Sequence, residues 1–199
     1  MQFNYASTDI ETSGLNKLDS LILEIGIVLD NSRTRVRRED LEEYLLKLPV
    51  FHCYVKYPFP IFGEEYALNM NKDIIRILEE GKHPDIISIE EVPNSTDKFL
   101  GKHLQVGDWK SKIMFAGKNF AGFDRPFLDL VPNLKDVLDK YFIHRVHDPA
   151  QMFFDPNHMD KTPNLKECLD IAGYNKTVSH TAIKDAYDVI RSLRYVWDI

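Results

Sequence analysis

Asp9 and Glu11 stand in the segment STDIETSG, Asp124 ends NFAGFD, and His180 and Asp185 share SHTAIKD. In an extended strand, positions two apart point to the same side, so the carboxylates of Asp9 and Glu11 can address one cation while Ile10 points into the core. Asp124 follows the apolar run Ile113 to Ala116 through a glycine-containing turn. The carboxyl edge of a parallel strand is where α/β proteins place ligand groups. Carboxylates that end strands or open helices, far apart along the chain, are what a two-metal phosphodiester-cleaving site needs.

Each motif also has a plain structural reading. Asp9 and Glu11 can be surface acids at a strand end, although Thr12-Ser13-Gly14 turns the chain sharply beside them and offers amides and hydroxyls able to hold a terminal nucleotide. Asp124 can simply cap the helix after it. Asp185 lies inside a helix, where aspartate is a poor former and requires water or a counter-charge. Ala182, Ile183 and Ala186 surround it with apolar neighbours. A carboxylate buried there requires a partner, and a divalent cation would serve. With Ser179 as helix cap, His180 sits at the helix entrance and can swing over a cleft.

The elements that must bring these groups together follow from periodicity. Phe3 to Thr8 reads as a first strand running into Asp9, and Leu21 to Leu29, apolar on both sides, as a central second strand. Asp30-Asn31-Ser32 supplies turn chemistry. Phe51 to Tyr57 is a third strand, ended by Pro58 and Pro60, so a meander precedes any crossover. Helices are expected over Asn71 to Glu80, Ser95 to Val106, through Phe127 and Leu130, over Leu134 to Tyr141 and over Leu165 to Ile171. Ile113 to Ala116 and His144 to Asp148 complete about five strands. Thr181 to Trp197 forms the last helix, with a stripe of Ile183, Ala186, Tyr187, Ile190, Leu193 and Val196. Strands first, then strand–helix alternation, gives an α/β domain with a mixed central sheet flanked by helices.

Bulk properties narrow the function classes. A chain of 199 residues with 44% hydrophobic and 12% aromatic residues supports a real core, read as one domain over 1–199. No 18-residue apolar run is present, so a membrane span is not expected. The start lacks the basic and apolar regions of a secretory signal. Cys53 and Cys168 form no metal-binding cluster, and a cytoplasmic setting with reduced thiols is the simplest expectation. The net charge of −6 argues against coating long nucleic acid through a broad positive face. It leaves room for gripping a few nucleotides, because bound cations reverse the local field. Arg33, Arg35, Arg37 and Arg38 form a local basic run, either a solvated loop or a phosphate contact.

These motifs, in this order, resemble the DEDD group of 3′–5′ exonucleases, which have a ribonuclease H-like fold. The likeness rests on DIETSG, NFAGFDRPFL and HTAIKDAYD and spans almost the whole chain. It is similar to the histidine-containing branch: the tyrosine branch has tyrosine four residues before the last acid, where this chain has Thr181, and His180 lies five before Asp185. Many relatives carry histidine before the asparagine of the middle motif, whereas this chain has Lys118-Asn119.

The resemblance implies that Asp9, Glu11, Asp124 and Asp185 position two divalent cations, Mg2+ or Mn2+, the hard ions that oxygen ligands favour. His180 would be the general base. Thr12, Gly14 and Leu15 would hold the terminal nucleotide with Asn119 and Phe123. The implied substrates are DNA or RNA 3′ ends, single-stranded, releasing nucleoside 5′-monophosphates, with no membrane partner. The same chemistry confined to RNA or short oligoribonucleotides is the alternative, and a non-catalytic nucleic-acid-binding or scaffold module is the reading from a different class. A homodimer or a polymerase-associated partner is left open.

Overall fold

The computed structural model describes residues 2–174 and 180–199. Along the chain run β1 (Tyr5–Thr12), β2 (Ile22–Asp30), α1 (Leu41–Leu45), β3 (Val50–Lys56), α2 (Glu65–Met70), α3 (Lys72–Glu80), β4 (Ile86–Ser88) and α4 (Val92–His103). Then follow β5 (Ile113–Ala116), α5 (Asp124–Leu128), α6 (Leu134–Tyr141), β6 (Phe142–His147), α7 (Pro149–Phe153), α8 (Leu165–Ile171) and α9 (Ala182–Trp197). The six strands form one mixed sheet in the order β4-β3-β2-β1-β5-β6, with β1–β2–β3 antiparallel and the outer pairings parallel. This is a ribonuclease H-like α/β architecture, with one strand more than the sequence led us to expect. The addition is β4, whose IIS triplet is too short to carry a periodic signal.

Alternation along β1 decides what faces what. Ile10 is buried in the larger core with Ile25, Phe115, Phe127 and Leu138, on the side covered by α4 and α6. The odd-numbered positions face α9: Tyr5 packs with Ala186, Val189 and Leu193, and the Ser7 hydroxyl donates to the Ala186 carbonyl at 2.7 Å. Asp9 and Glu11 continue that same row toward the N-terminal end of α9. β2 is buried at every position, as expected of a central strand covered on both faces.

Several boundaries moved. β1 extends through Thr12, so the acid pair lies within the strand rather than just beyond it, because pairing with β2 continues through Asp9↔Gly26 and Glu11↔Glu24. The last strand begins at Phe142 rather than His144. The N-cap of α9 is Thr181, with extended backbone, where Ser179 was expected; Ser179 itself lies outside the described residues. Of the stripe on α9, Ala186, Ile190 and Leu193 are buried, whereas Val196 near the end is exposed.

Candidate active site

One carboxylate oxygen from each of Asp9, Glu11 and Asp185 lies within 4.8 Å of the other two. Two elements produce this. β1 presents Asp9 and Glu11 on one face, and α9 lies over that face. Asp185, in the first turn of α9, donates its amide to the Thr181 carbonyl at 3.0 Å. Its Oδ1 is buried and, among the described residues, has no hydrogen-bond partner. A buried carboxylate oxygen left in this condition is costly, and a cation is the partner that would relieve it.

Asp124 arrives from the other side of β1. It opens α5 as its first residue, and Phe123 is the cap, so the capping alternative does not describe it. Asp124 is buried, and its Oδ1 accepts the amide of Ile10, the residue between the two strand acids, at 3.1 Å. Its carboxylate is not among the three in mutual reach; its link to them is through the β1 backbone and its charge on Asp9 and Glu11.

The electrostatics show like charges crowded into a poorly hydrated space. Burial, then the charges of Asp124, Asp185, Glu11 and Glu24, hold Asp9 well above the ordinary carboxylate range. Glu11 is pushed up to about 8 by burial, Asp185 and Glu24, against a hydrogen bond from Asn71. Burial raises Asp124 to about 8, opposed by its own amide, that of Ile10 and Lys118. Burial, Asp188 and Glu24 raise Asp185 to about 7. Divalent cations would reverse this, because an ion is the largest local charge in such a site. The donor set therefore fits hard divalent cations: carboxylate oxygens in mutual reach, mutually repelling, one of them unpaired.

His180 is exposed two residues ahead of α9, with a left-handed backbone (φ 47°). Histidine tolerates that conformation better than most side chains, and such outliers gather at functional sites. Asn119 also has positive φ (56°); its amide donates to Asp148 Oδ2 at 3.0 Å, and its own carbonyl accepts the amides of Gly122 and Phe123. Phe123 is half-buried against Phe127.

The turn after β1 is more internally bonded than its composition implied. The Thr12 hydroxyl donates to the Gly14 carbonyl at 2.7 Å, and the Leu15 amide donates to Glu64 Oε1 at 2.7 Å. What the turn presents outward is the Leu15 side chain, 75% exposed.

Sequence reasoning missed three residues bordering the site. Glu24 pairs with Glu11 across the sheet and is buried. His52 binds Glu24 at 2.8 Å. Asn71, between α2 and α3, donates to the Thr12 carbonyl at 3.0 Å. Only Glu24 left a signal, as the one charged residue in the apolar run LILEIGIVL. Among the described residues no helix is long and apolar enough to cross a membrane, and Cys53 and Cys168 are buried and free.

No family model matches the sequence, and no curated protein matches it. Solved structures do match in fold. Pop2p of S. pombe, in a Mg2+- and Mn2+-bound form, aligns over 96% of this chain and 81% of its own, at TM-score 0.63 and 12% identity. E. coli exonuclease I, in complex with a dT13 oligonucleotide, aligns over 98% of this chain and 41% of its own, at TM-score 0.66 and 12% identity. A moderately thermophilic exonuclease I from Methylocaldum szegediense aligns over 96% and 40%, at TM-score 0.64 and 14% identity. The chain spans about four-tenths of the length of the two exonuclease I chains. At these identities the likeness establishes a shared fold.

Proposed function

We propose that residues 1–199 form a metal-dependent 3′–5′ exonuclease domain that shortens single-stranded nucleic acid and releases nucleoside 5′-monophosphates. The observation that carries this reading is the convergence of Asp9, Glu11 and Asp185 within 4.8 Å, with an unpaired buried oxygen on Asp185. The ions in the S. pombe structure and the oligonucleotide in the E. coli one support the choice of cofactor and substrate class.

In this proposal Asp9, Glu11 and Asp185, with Asp124, hold two divalent cations, Mg2+ or Mn2+. When bound, such ions lower the pKa of water and stabilise charge on phosphoryl and leaving oxygens. His180 takes the proton of the attacking water, a role open to an imidazole exposed at the entrance of α9. Leu15 and Phe123 contact the terminal base and sugar, with Thr12, Gly14 and Asn119 shaping the backbone around them. With histidine in this role, the proposal reads the chain as similar to the histidine-containing branch.

The test is digestion of end-labelled single-stranded DNA, single-stranded RNA and duplexes, with Mg2+ or Mn2+ and with EDTA. The expected result is a ladder of one-nucleotide steps from the 3′ end, dependent on the cation and strongest on one single-stranded polymer. The relative rates on DNA and RNA assign the preferred polymer. Cation binding without shortening of any substrate would overturn the reading in favour of a binding module.

A further inference from the structure

Glu24 lies in the middle of the sheet. It sits in central β2, 1% exposed, directly opposite Glu11. Unlike Asp185, it has both oxygens engaged. Oε2 accepts the amide of Ala182, the first residue of α9, at 3.0 Å, and Oε1 meets His52 Nε2 at 2.8 Å. His52 Nδ1 in turn meets Asp85 Oδ2, just ahead of β4, at 2.7 Å. A polar chain thus runs from the sheet edge, across β3 and β2, to the start of α9.

A second contact fixes the same place. Gly26 is two residues along β2 on the same face, opposite Asp9. A Cβ there would come within 2.8–2.9 Å of the Ala182 carbonyl group and the Ile183 nitrogen. The first turn of α9 therefore rests directly on β2, over the square formed by Asp9, Glu11, Glu24 and Gly26. The first amides of a helix have no partner within it, so a carboxylate bonded to one of them sets where the helix begins.

We propose that Glu24, steadied by His52 and Asp85, is a positioning residue that seats the entrance of α9 on the sheet, and so sets how Asp185 and His180 meet Asp9 and Glu11. The inference rests on the exonuclease reading for its consequence but not for its geometry. Glu24 is not among the acids whose oxygens lie in mutual reach, Asp9, Glu11 and Asp185, and its own two oxygens meet Ala182 and His52 instead. His52 fits the steadying role. Burial lowers its pKa, yet the bonds to Glu24 and Asp85 outweigh that and leave it raised, which favours an imidazolium between the two acids.

The test compares Glu24→Ala, Glu24→Gln and His52→Ala with the wild type. Three readouts are taken: hydrogen exchange at the amides of residues 182–185, Mn2+ binding by electron paramagnetic resonance, and kcat and KM on a labelled oligonucleotide. Glu24→Ala is expected to speed exchange at Ala182, to weaken Mn2+ binding by about 10- to 100-fold, as loss of an outer-shell partner does, and to lower kcat with little change in KM. Glu24→Gln is expected to restore exchange protection and most Mn2+ affinity. Its amide oxygen can accept from Ala182 while its NH2 donates to a neutral His52 that keeps Nδ1–H toward Asp85. His52→Ala is expected to fall between the two.

Unchanged exchange at Ala182 in Glu24→Ala would overturn the inference, whatever the activity. A Glu24→Gln variant as impaired as Glu24→Ala would overturn it as well, since the loss would then follow charge. If Glu24→Ala does not fold, His52→Ala decides by the same readouts. A wild type that binds Mn2+ but shortens no oligonucleotide defeats the exonuclease reading alone, and the exchange and Mn2+ readouts still judge Glu24.

Discussion

β1, β2 and α9 enclose two buried acidic sites, one near each end of their shared face, and the two are built on opposite principles. At the far end, Asp30 accepts from Arg194 at Oδ1 (2.7 Å) and Oδ2 (3.0 Å), from the Tyr44 hydroxyl at 2.7 Å, and from the Tyr5 hydroxyl. Its neutralising partner is built into the chain. At the near end, Asp9, Glu11 and Asp185 crowd together beside two further acids, Glu24 and Asp124, and the cations acting there, Lys184 on Asp185 and Lys118 on Asp124, are outweighed by burial and like charge. The same scaffold makes one carboxylate a structural clasp and leaves the others in want of a cation. A buried acid by itself therefore says little about function; which side supplies the opposite charge is what separates clasp from site.

Breaking the near end should cost activity and spare the fold. Asp185→Asn removes one of the repelling charges, so cation-dependent release of mononucleotides is expected to fall below detection. Thermal scans of the metal-free protein should show Tm unchanged or raised by a few degrees, the pattern of a site that gives up stability for function. A large fall in Tm would instead make Asp185 a clasp like Asp30.

Breaking the far end should do the reverse. Arg194→Ala leaves Asp30 buried without its cation, a change that typically costs about 3–5 kcal/mol. For a chain of this size that corresponds to a Tm lower by about 6–20 °C. At a temperature where the variant is folded, kcat should stay close to wild type. A stable variant with depressed kcat would show that the two ends are coupled through α9.

The contrast sharpens with pH. Folded pKa values of about 7 for Asp185 and about 8 for Glu11 and Asp124 lie above the roughly 4 of an unfolded carboxylate. Between those limits the folded chain binds more protons than the unfolded one, so their contribution to stability is present at acid pH and is lost as pH rises to about 8. His52, also raised, acts in the same direction. In EDTA, Tm is expected to fall by several degrees from about pH 5 to about pH 8. Mn2+ should restore it, more at the higher pH, because carboxylates bind the ion in their deprotonated form. A Tm that rises over this interval in EDTA would show that the near-end acids are already neutralised from within.

Much of this was legible in the chain. The meander, Ile113–Ala116 and the helices over Leu134–Tyr141 and Leu165–Ile171 follow from runs long enough to show a period. Asp9 and Glu11 are a same-face pair by strand alternation, and Asp185 stands out as an acid between Ala182 and Ala186. What the sequence could not show was pairing. That Glu24 stands opposite Glu11 depends on register, and that Arg194 serves Asp30 depends on two groups 164 residues apart meeting under one helix. Nor does polarity reveal which donors are already taken: Thr12 and Leu15 read as free groups in the chain, yet their hydrogen bonds close on Gly14 and Glu64.

That last bond separates substrate holding from acid holding within the near end. The segment before α2 locks onto the turn after β1: the Glu64 amide donates to the Ser13 carbonyl at 2.8 Å, and Gly63 packs so tightly on Ser13 that a Cβ there would lie 2.0 Å from its carbonyl oxygen. Glu64 Oε1 then fixes the Leu15 amide and with it the exposed Leu15 side chain. Glu64→Ala removes one hydrogen bond at the surface, worth about 1 kcal/mol, or about 5-fold in an equilibrium. If the turn serves the substrate, that loss should appear as a KM raised by about that factor, with kcat unchanged and Tm lower by no more than about 2–4 °C, the mark of binding made equally in ground and transition states. A fall in kcat at constant KM would mean that the turn holds Glu11 in place instead, and the proposed contact of Leu15 with the terminal base would fall.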